Sequence, residues 1–265
     1  MGGGELSREE ARSPHRRRAG DRVTFYCGLA TADLAFVAAD TRTTYPGLGG
    51  HVVDDVCRSK LRRLRGGWAT GSGMHQWLDM VYTRIAALDA GDLDAIGAAV
   101  GALARSGEVD ATLSALGGYR EAVAARPPGE RDRVGDLCVI SATADGFQAA
   151  TIEDRGTVRR VGAHLVYNSL AEVPPETMGE LAAQSVARAA PTELDLLRQV
   201  ARFFAAVYAR CGPRGPMSDA VSIALMMRDE GRRVVHRHVA PMSSDRLAGL
   251  SNADLLSRIE VWYAP

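Results

Sequence analysis

Residues Thr24–Thr44 read TFYCGLATADLAFVAADTRTT. Thr24–Ala30 is β-branched, aromatic and apolar, and Leu34–Ala39 is a second apolar run. Only Thr31, Ala32 and Asp33 separate them. Two such runs with so short a link predict a buried antiparallel hairpin. A hairpin brings the chain back to its own start. Asp40, which ends the second run, therefore belongs beside Thr24, which opens the first.

The next informative residue is Lys60, the one lysine in the chain; the other 31 strong cations are arginine. The Ala-, Gly- and Arg-heavy composition suits a GC-rich genome, where lysine codons drift to arginine wherever any cation serves. Chance survival at an exposed site is the plain reading of a lone lysine. The functional reading is that arginine would not serve there. A guanidinium stays charged at any accessible pH, whereas an ammonium is compact and its pKa moves readily on burial. A short excursion separates Asp40-Thr41-Arg42 from Lys60, so Lys60 can return to the same end of the hairpin. An Asp and an Arg there would orient its ammonium. A desolvated cation beside a free α-amine lowers that amine's pKa and lets it act as a base near neutrality. A threonine at a free N-terminus carries both the hydroxyl nucleophile and that base. Thr70-Gly71-Ser72-Gly73, read as a strand end entering a glycine turn, can aim backbone N–H groups at a developing oxyanion.

Outward from this centre the expected elements run in blocks. Tyr45–Gly50 reads as a Gly/Pro loop, with weak strands at Val52–Val56 and Leu61–Leu64. Apolar spacing predicts a helix over Met74–Leu88, followed by helices near 92–105 and 110–125. Strands return at Leu137–Thr143, Gly146–Glu153, Val158–Val161 and Ala163–Tyr167. Helices follow over about 175–190, opened by Pro175, and 192–210, capped by Thr192. Val221–Met227 and Val234–Val239 form a last hairpin, and a C-terminal helix is expected at Asn252–Ile259. Segregated runs of strands and helices indicate layers rather than an alternating parallel sheet. The expected class is α+β: a four-layer αββα sandwich, two antiparallel sheets face to face with helices outside both.

The bulk composition narrows the function. Net charge is zero over 265 residues, which gives no sign of a nucleic-acid or anionic-membrane partner. No apolar run reaches the roughly 18 residues of a membrane span. Cys27, Cys57, Cys138 and Cys211 are too scattered for a metal site and read as reduced thiols of a cytoplasmic protein. His236 and His238 alternate in one expected strand and more readily share a sheet face than bind a metal. No cofactor and no metal are expected. Residues 1–22 are polar, Gly- and Arg-rich and aperiodic, and read as disordered. Trp68 and Trp77 read as core. Cys27 lies mid-strand, which makes it a poor nucleophile. His75 stands near the expected site without a clear role.

The stretch Thr24–Thr44, with Ala38-Ala39-Asp40-Thr41-Arg42 placing Asp40 sixteen positions after Thr24, resembles the proteasome-type N-terminal nucleophile (Ntn) hydrolases. It is β-subunit-like and closest in look to free-standing bacterial Anbu-type peptidases, which begin Met-Thr-Tyr-Cys where Thr24–Cys27 reads Thr-Phe-Tyr-Cys. The resemblance implies the Ntn-hydrolase fold over about 24–240, with 1–23 a leader and 241–265 a C-terminal helix or tail. It implies that Thr24, Asp40, Arg42, Lys60 and Gly71 are site residues. It places a supporting serine at Ser169, here within Asn168-Ser169-Leu170, and makes Ser218 and Asp219 weaker candidates because they are displaced in register. Val23 stands where the family has glycine. A GTG start codon at position 23 would explain this, since removal of the initiator methionine would then expose Thr24; autocatalytic loss of a propeptide is the alternative.

The implied activity is threonine-type hydrolysis of a peptide or amide substrate through an acyl-enzyme. Two further readings stand beside it: a catalytically silent proteasome-like scaffold subunit, and a small-molecule amidase on the same fold. The resemblance also implies a homo-oligomer, a ring or a helical stack, and leaves an ATPase partner open. Residues 241–265 read either as a docking tail or as a segment that packs on its own domain.

Overall fold

The computed structural model describes residues 24–47, 50–54, 59–116, 120, 124, 133–168, 170, 173–185, 192–212 and 217–263. Residues 1–23, Cys57 and Ser169 lie outside the described residues.

The opening hairpin forms as expected. β1 (Tyr26–Ala30) and β2 (Leu34–Asp40) pair antiparallel with Tyr26 opposite Ala39 and Ala30 opposite Ala35. Thr31 closes the link, its side chain accepting from Leu34 N–H and its own N–H donating to the Leu34 carbonyl. β3 (Thr43–Gly47) and β4 (Gly50–Asp54) make a separate two-stranded ribbon; β4 overlaps the strand expected at Val52–Val56, whereas β3 runs into the stretch expected as a loop. Pro and Gly are tolerated there because such a ribbon is all edge.

A second sheet follows. β5 (Arg62–Leu64), β6 (Gly67–Gly73), β7 (Gly135–Ala142), β8 (Phe147–Glu153) and β9 (Val158–Val161) lie in that order, all antiparallel. α1 (His75–Ile85), α2 (Leu93–Arg105) and α3 (Glu108–Ser114) connect β6 to β7. The first sheet is completed by β10 (Val166–Tyr167), β11 (Ala220–Arg228), β12 (Val234–Ser243) and β13 (Ile259–Tyr263), in the order β10-β1-β2-β11-β12-β13. α4 (Pro175–Ser185) and α5 (Glu193–Cys211) precede β11, and α6 (Ser244–Gly249) and α7 (Asn252–Leu256) precede β13. Thr192 caps α5 by accepting from Asp195 N–H at 3.2 Å.

Strand alternation separates three cores. On β1, Phe25 and Cys27 face the α4–α5 layer, where Phe25 meets the rings of Phe203 and Phe204 at 5.6 and 5.0 Å. Tyr26 and Ala30 face the opposite way, into the core between the sheets, with Trp68, Cys138 and Ile140. Leu137, Val139 and Ala69 face α1–α3 on the far side. The result is the four-layer αββα sandwich, with a core in each of its three interfaces. Cys27 and Cys138 are buried free thiols. At the C-terminal end a helix was expected through Ile259; instead α7 stops at Leu256, and Ile259–Tyr263 adds a strand to β12.

Candidate active site

The site gathers where strands begin and end at one rim of the sandwich. Thr24 leads into β1, Asp40 ends β2, Ser218 precedes β11, and Lys60 precedes β5. Asp40 is fully buried. Its Oδ1 accepts from Phe25 N–H at 3.0 Å, and its Oδ2 accepts from Arg42 N–H and Ser218 N–H, each at 3.0 Å. Burial pushes the Asp40 carboxyl up, against the pull of the Lys60 ammonium and the N–H groups of Ser218 and Arg42. The hairpin geometry thus ties Asp40 to the residue after Thr24.

Lys60 reaches into this end of the hairpin. Its Nζ donates to Thr24 Oγ1 at 2.7 Å, to Asp40 Oδ1 at 3.3 Å and to the Arg42 carbonyl. An ammonium has three donors and no acceptor. Here the three acceptors converge on it, which aims it at the Thr24 hydroxyl. Arg42 therefore meets Lys60 through its backbone carbonyl, and not only through proximity of charge. Thr24 itself is nearly buried.

No protein-family model and no curated protein matches the chain. Among solved structures, the Gly-1 mutant of Anbu from Hyphomicrobium sp. strain MC1 matches over 88% of this chain and 95% of its own, with 12% identity and a TM-score of 0.54. This chain has the Anbu fold.

On this Anbu-type frame one site residue escaped the sequence. Asn168 follows β10, and its side chain behaves as one more strand residue beside β1. Nδ2 donates to the Thr24 carbonyl at 2.6 Å, and Oδ1 accepts from Tyr26 N–H at 2.7 Å. Only an amide side chain offers both a donor and an acceptor in that geometry. The sequence reading chose its neighbour Ser169, which is outside the described residues. An Asn immediately after the expected strand Ala163–Tyr167 was the available signal.

Ser218 is drawn into the centre. Besides its N–H bond to Asp40, its Oγ accepts from Thr41 N–H at 3.1 Å, lies 3.0 Å from Thr41 Oγ1 and donates to the Ala220 carbonyl. Asp219 is exposed, and its carbonyl accepts from Ser244 N–H.

Gly71 lies inside β6, which runs unbroken to Gly73 rather than turning at Thr70. A Cβ on Gly71 would come within 2.5 Å of the Asp136 carbonyl and 2.6 Å of Leu78 Cδ2. β5 pairs with β6 only from Gly67 to Ala69, so no described strand covers that edge from Thr70 onward. His75 starts α1 and pairs with Asp79 at 3.0 Å.

A second, largely buried polar group, unforeseen in the sequence, faces Tyr26 from the other sheet. The Tyr26 hydroxyl bonds the Asp136 carboxyl, which Ser72 also meets. Burial pushes Asp136 and Tyr26 both up. Among the described residues, no group of three His, Cys, Asp or Glu is placed to hold a metal, and no helix is long and apolar enough to cross a membrane.

Proposed function

We propose that this chain is an N-terminal threonine hydrolase that cleaves peptide or amide bonds through an acyl-enzyme on Thr24. The observation that carries the reading is the Lys60 ammonium, 2.7 Å from Thr24 Oγ1 while bound to the buried Asp40. The same donor count assigns the roles. As an ammonium Lys60 has three hydrogens and no lone pair, and in that form it donates to Oγ1 and does not serve as the base. It stabilises negative charge as it develops on Oγ1. The base is the α-amine of Thr24, once that amine is free.

The reaction follows from these positions. Oγ1 attacks the substrate carbonyl carbon, and its proton passes to the α-amine. The carbonyl oxygen becomes an oxyanion, for which the open edge of β6 at Gly71 supplies N–H donors. Collapse of the tetrahedral centre breaks the C–N bond, and the leaving amine takes the proton from the α-ammonium. The acyl ester on Thr24 is then cleaved by a water that the α-amine deprotonates. Asp40, Arg42 and Ser218 hold Lys60 and the hairpin end in register. Asn168 holds the Thr24 carbonyl, and with it the direction of the residue.

A free Thr24 amine requires that residues 1–23 be absent from the active species, through a start at position 23 or cleavage after Val23. A β-lactone or peptide epoxyketone probe should add its mass to a species beginning at Thr24, with the adduct on Thr24. An active preparation that retains residues 1–23 throughout would overturn the reading. Absence of labelling in a species that does begin at Thr24 would favour a silent scaffold. Casein and short fluorogenic peptides, run beside simple amides, separate peptidase from small-molecule amidase. Assembly into a ring or helical stack is part of the same proposal and is read by native mass.

A further inference from the structure

Lys60 is held at both ends, and its main chain is clamped between the sheets. Thr70 Oγ1 on β6 of the second sheet and the Tyr82 hydroxyl on α1 each donate to the Lys60 carbonyl at 3.4 Å. From the first, Ser59 Oγ lies 3.0 Å from Ser222 Oγ on β11, and Ser222 Oγ lies 3.0 Å from His238 Nε2 on β12. His238 Nδ1 in turn faces Glu260 Oε2 on β13 at 3.4 Å. Ser59 also accepts from Leu61 N–H at 3.2 Å, so its hydroxyl spans the residue that carries the ammonium.

The ladder between β11 and β12 is opened to make this chain. Val221 pairs with Met242 and Ile223 with Val239, which leaves Ala240 and Pro241 opposite Ser222. Proline has no N–H to give a ladder, and a bulge of this kind re-aims the side chain beside it. Ser222 is fully buried, and its hydroxyl donates to the Val239 carbonyl at 3.0 Å. A hydroxyl has one hydrogen and two lone pairs. With the hydrogen on Val239, the lone pairs accept from Ser59 and from His238 Nε2–H. His238 is fixed in turn by stacking on Trp68, centroids 5.5 Å apart at 19°, and by Trp262 at 6.1 Å. Ser59, Ser222 and His238 Nε2 then each have a partner, while Nδ1 of that neutral imidazole is a lone pair with no hydrogen to give Glu260.

We propose that Ser59, Ser222 and His238 are positioning residues for Lys60: a hydrogen-bonded strut that runs from β12 across β11 and sets the ammonium against Thr24. The strut acts through the main chain of residues 59–61. Its effect is on where Nζ sits, not on substrate affinity. The proposal rests on the hydrolase reading for its kinetic readout alone, because Lys60 has a second readout of its own. As the one lysine of the chain it gives a single side-chain resonance in protein labelled with ¹³C,¹⁵N-lysine.

The test uses the full chain with Ser59→Ala, Ser222→Ala, the double variant and Ser59→Thr. The Lys60 Cε and Nζ shifts should move toward those of free lysine in Ser59→Ala and in Ser222→Ala. The double variant should move no further than the larger single, since both break one link. Ser59→Thr restores the hydroxyl at a half-buried position and should restore the shifts. With a peptide substrate, kcat should fall about tenfold at unchanged KM in each alanine variant, as expected for a misplaced catalytic group. Unmoved Lys60 shifts in Ser59→Ala, or single-variant effects that add in the double, would overturn the strut. Shifts that move as expected in a protein that turns over no substrate, wild type included, would keep the strut and reject the hydrolase.

Discussion

At the scale of the residue, the Lys60 site depends on shape as much as on charge. Three acceptors, Thr24 Oγ1, Asp40 Oδ1 and the Arg42 carbonyl, converge on one nitrogen. A planar guanidinium spreads its donors over a fork and cannot bring three of them to one point. Lys60→Arg therefore keeps the charge and loses the geometry: turnover should fall by at least about a hundredfold, the range usual for removing a donor to a developing negative charge, in a protein that still folds. Near-wild-type turnover in a folded Lys60→Arg protein would sink the mechanism. Asn168 makes a complementary case. Asn168→Ala leaves a buried carbonyl on Thr24 and a buried N–H on Tyr26 without their partner, at a cost of about 1–3 kcal/mol for each group. Urea unfolding should show a lower midpoint, and probe labelling of Thr24 should slow. The lone lysine and the spacing of Thr24 from Asp40 were legible in the sequence because local chain direction alone brings them together. Asn168 was not, because its role depends on a contact with β1 across 144 positions that no local pattern encodes.

At the scale of the element, β6 is fitted to the strand and helix that flank it at Gly71. The nearest atoms to an added Cβ there include the backbone oxygen of Asp136 at 2.5 Å, which cannot swing aside as a side-chain end would. Gly71→Ala should therefore separate β6 from β7 and cost about 1–3 kcal/mol, with a loss of turnover larger than that of an equally destabilised core variant. Equal losses in the two would remove Gly71 from the oxyanion role. The elements most legible in sequence were those with strong periodicity and short links: the β1–β2 hairpin, α1, α5 and the β11–β12 hairpin. The misjudged ones have competing signals. Leu255 and Ile259 are spaced as on one helix face, yet Ile259–Tyr263 is β-branched and aromatic and finds an open edge on β12. Thr70–Gly73 has the composition of a turn, but β7 pairs with it residue for residue, Thr70 opposite Cys138 and Gly73 opposite Gly135.

At the scale of the whole molecule, the question is what couples the two sheets, since the site takes Thr24 and Asp40 from one and Gly71 from the other. Most of the inter-sheet core is apolar and indifferent to pH. Polar ties cross it as well, Tyr26 to Asp136 among them; in another, Trp68 Nε1 on β6 donates to His236 Nδ1 on β12 at 3.1 Å. Burial, with a smaller push from Arg63, lowers the His236 pKa to about 4. The tie agrees with this, because Nδ1 must stay unprotonated to accept. An unfolded histidine titrates near 6.5, so between about 6.5 and 4 the unfolded chain binds the proton and the folded chain does not. Stability contributed by His236 is thus present above that window and is lost as pH falls through it, up to about 3 kcal/mol by pH 4. Asp40 and Asp136, both pushed up, titrate with the opposite sign and blunt the observed slope, so the wild-type curve alone does not isolate the histidine. His236→Gln does, because an amide oxygen can accept from Trp68 and does not titrate. Urea unfolding of both proteins from pH 7 to pH 4 should show the wild type losing more stability than His236→Gln. Parallel curves would mean that the tie between the sheets does not control the acid response of the molecule.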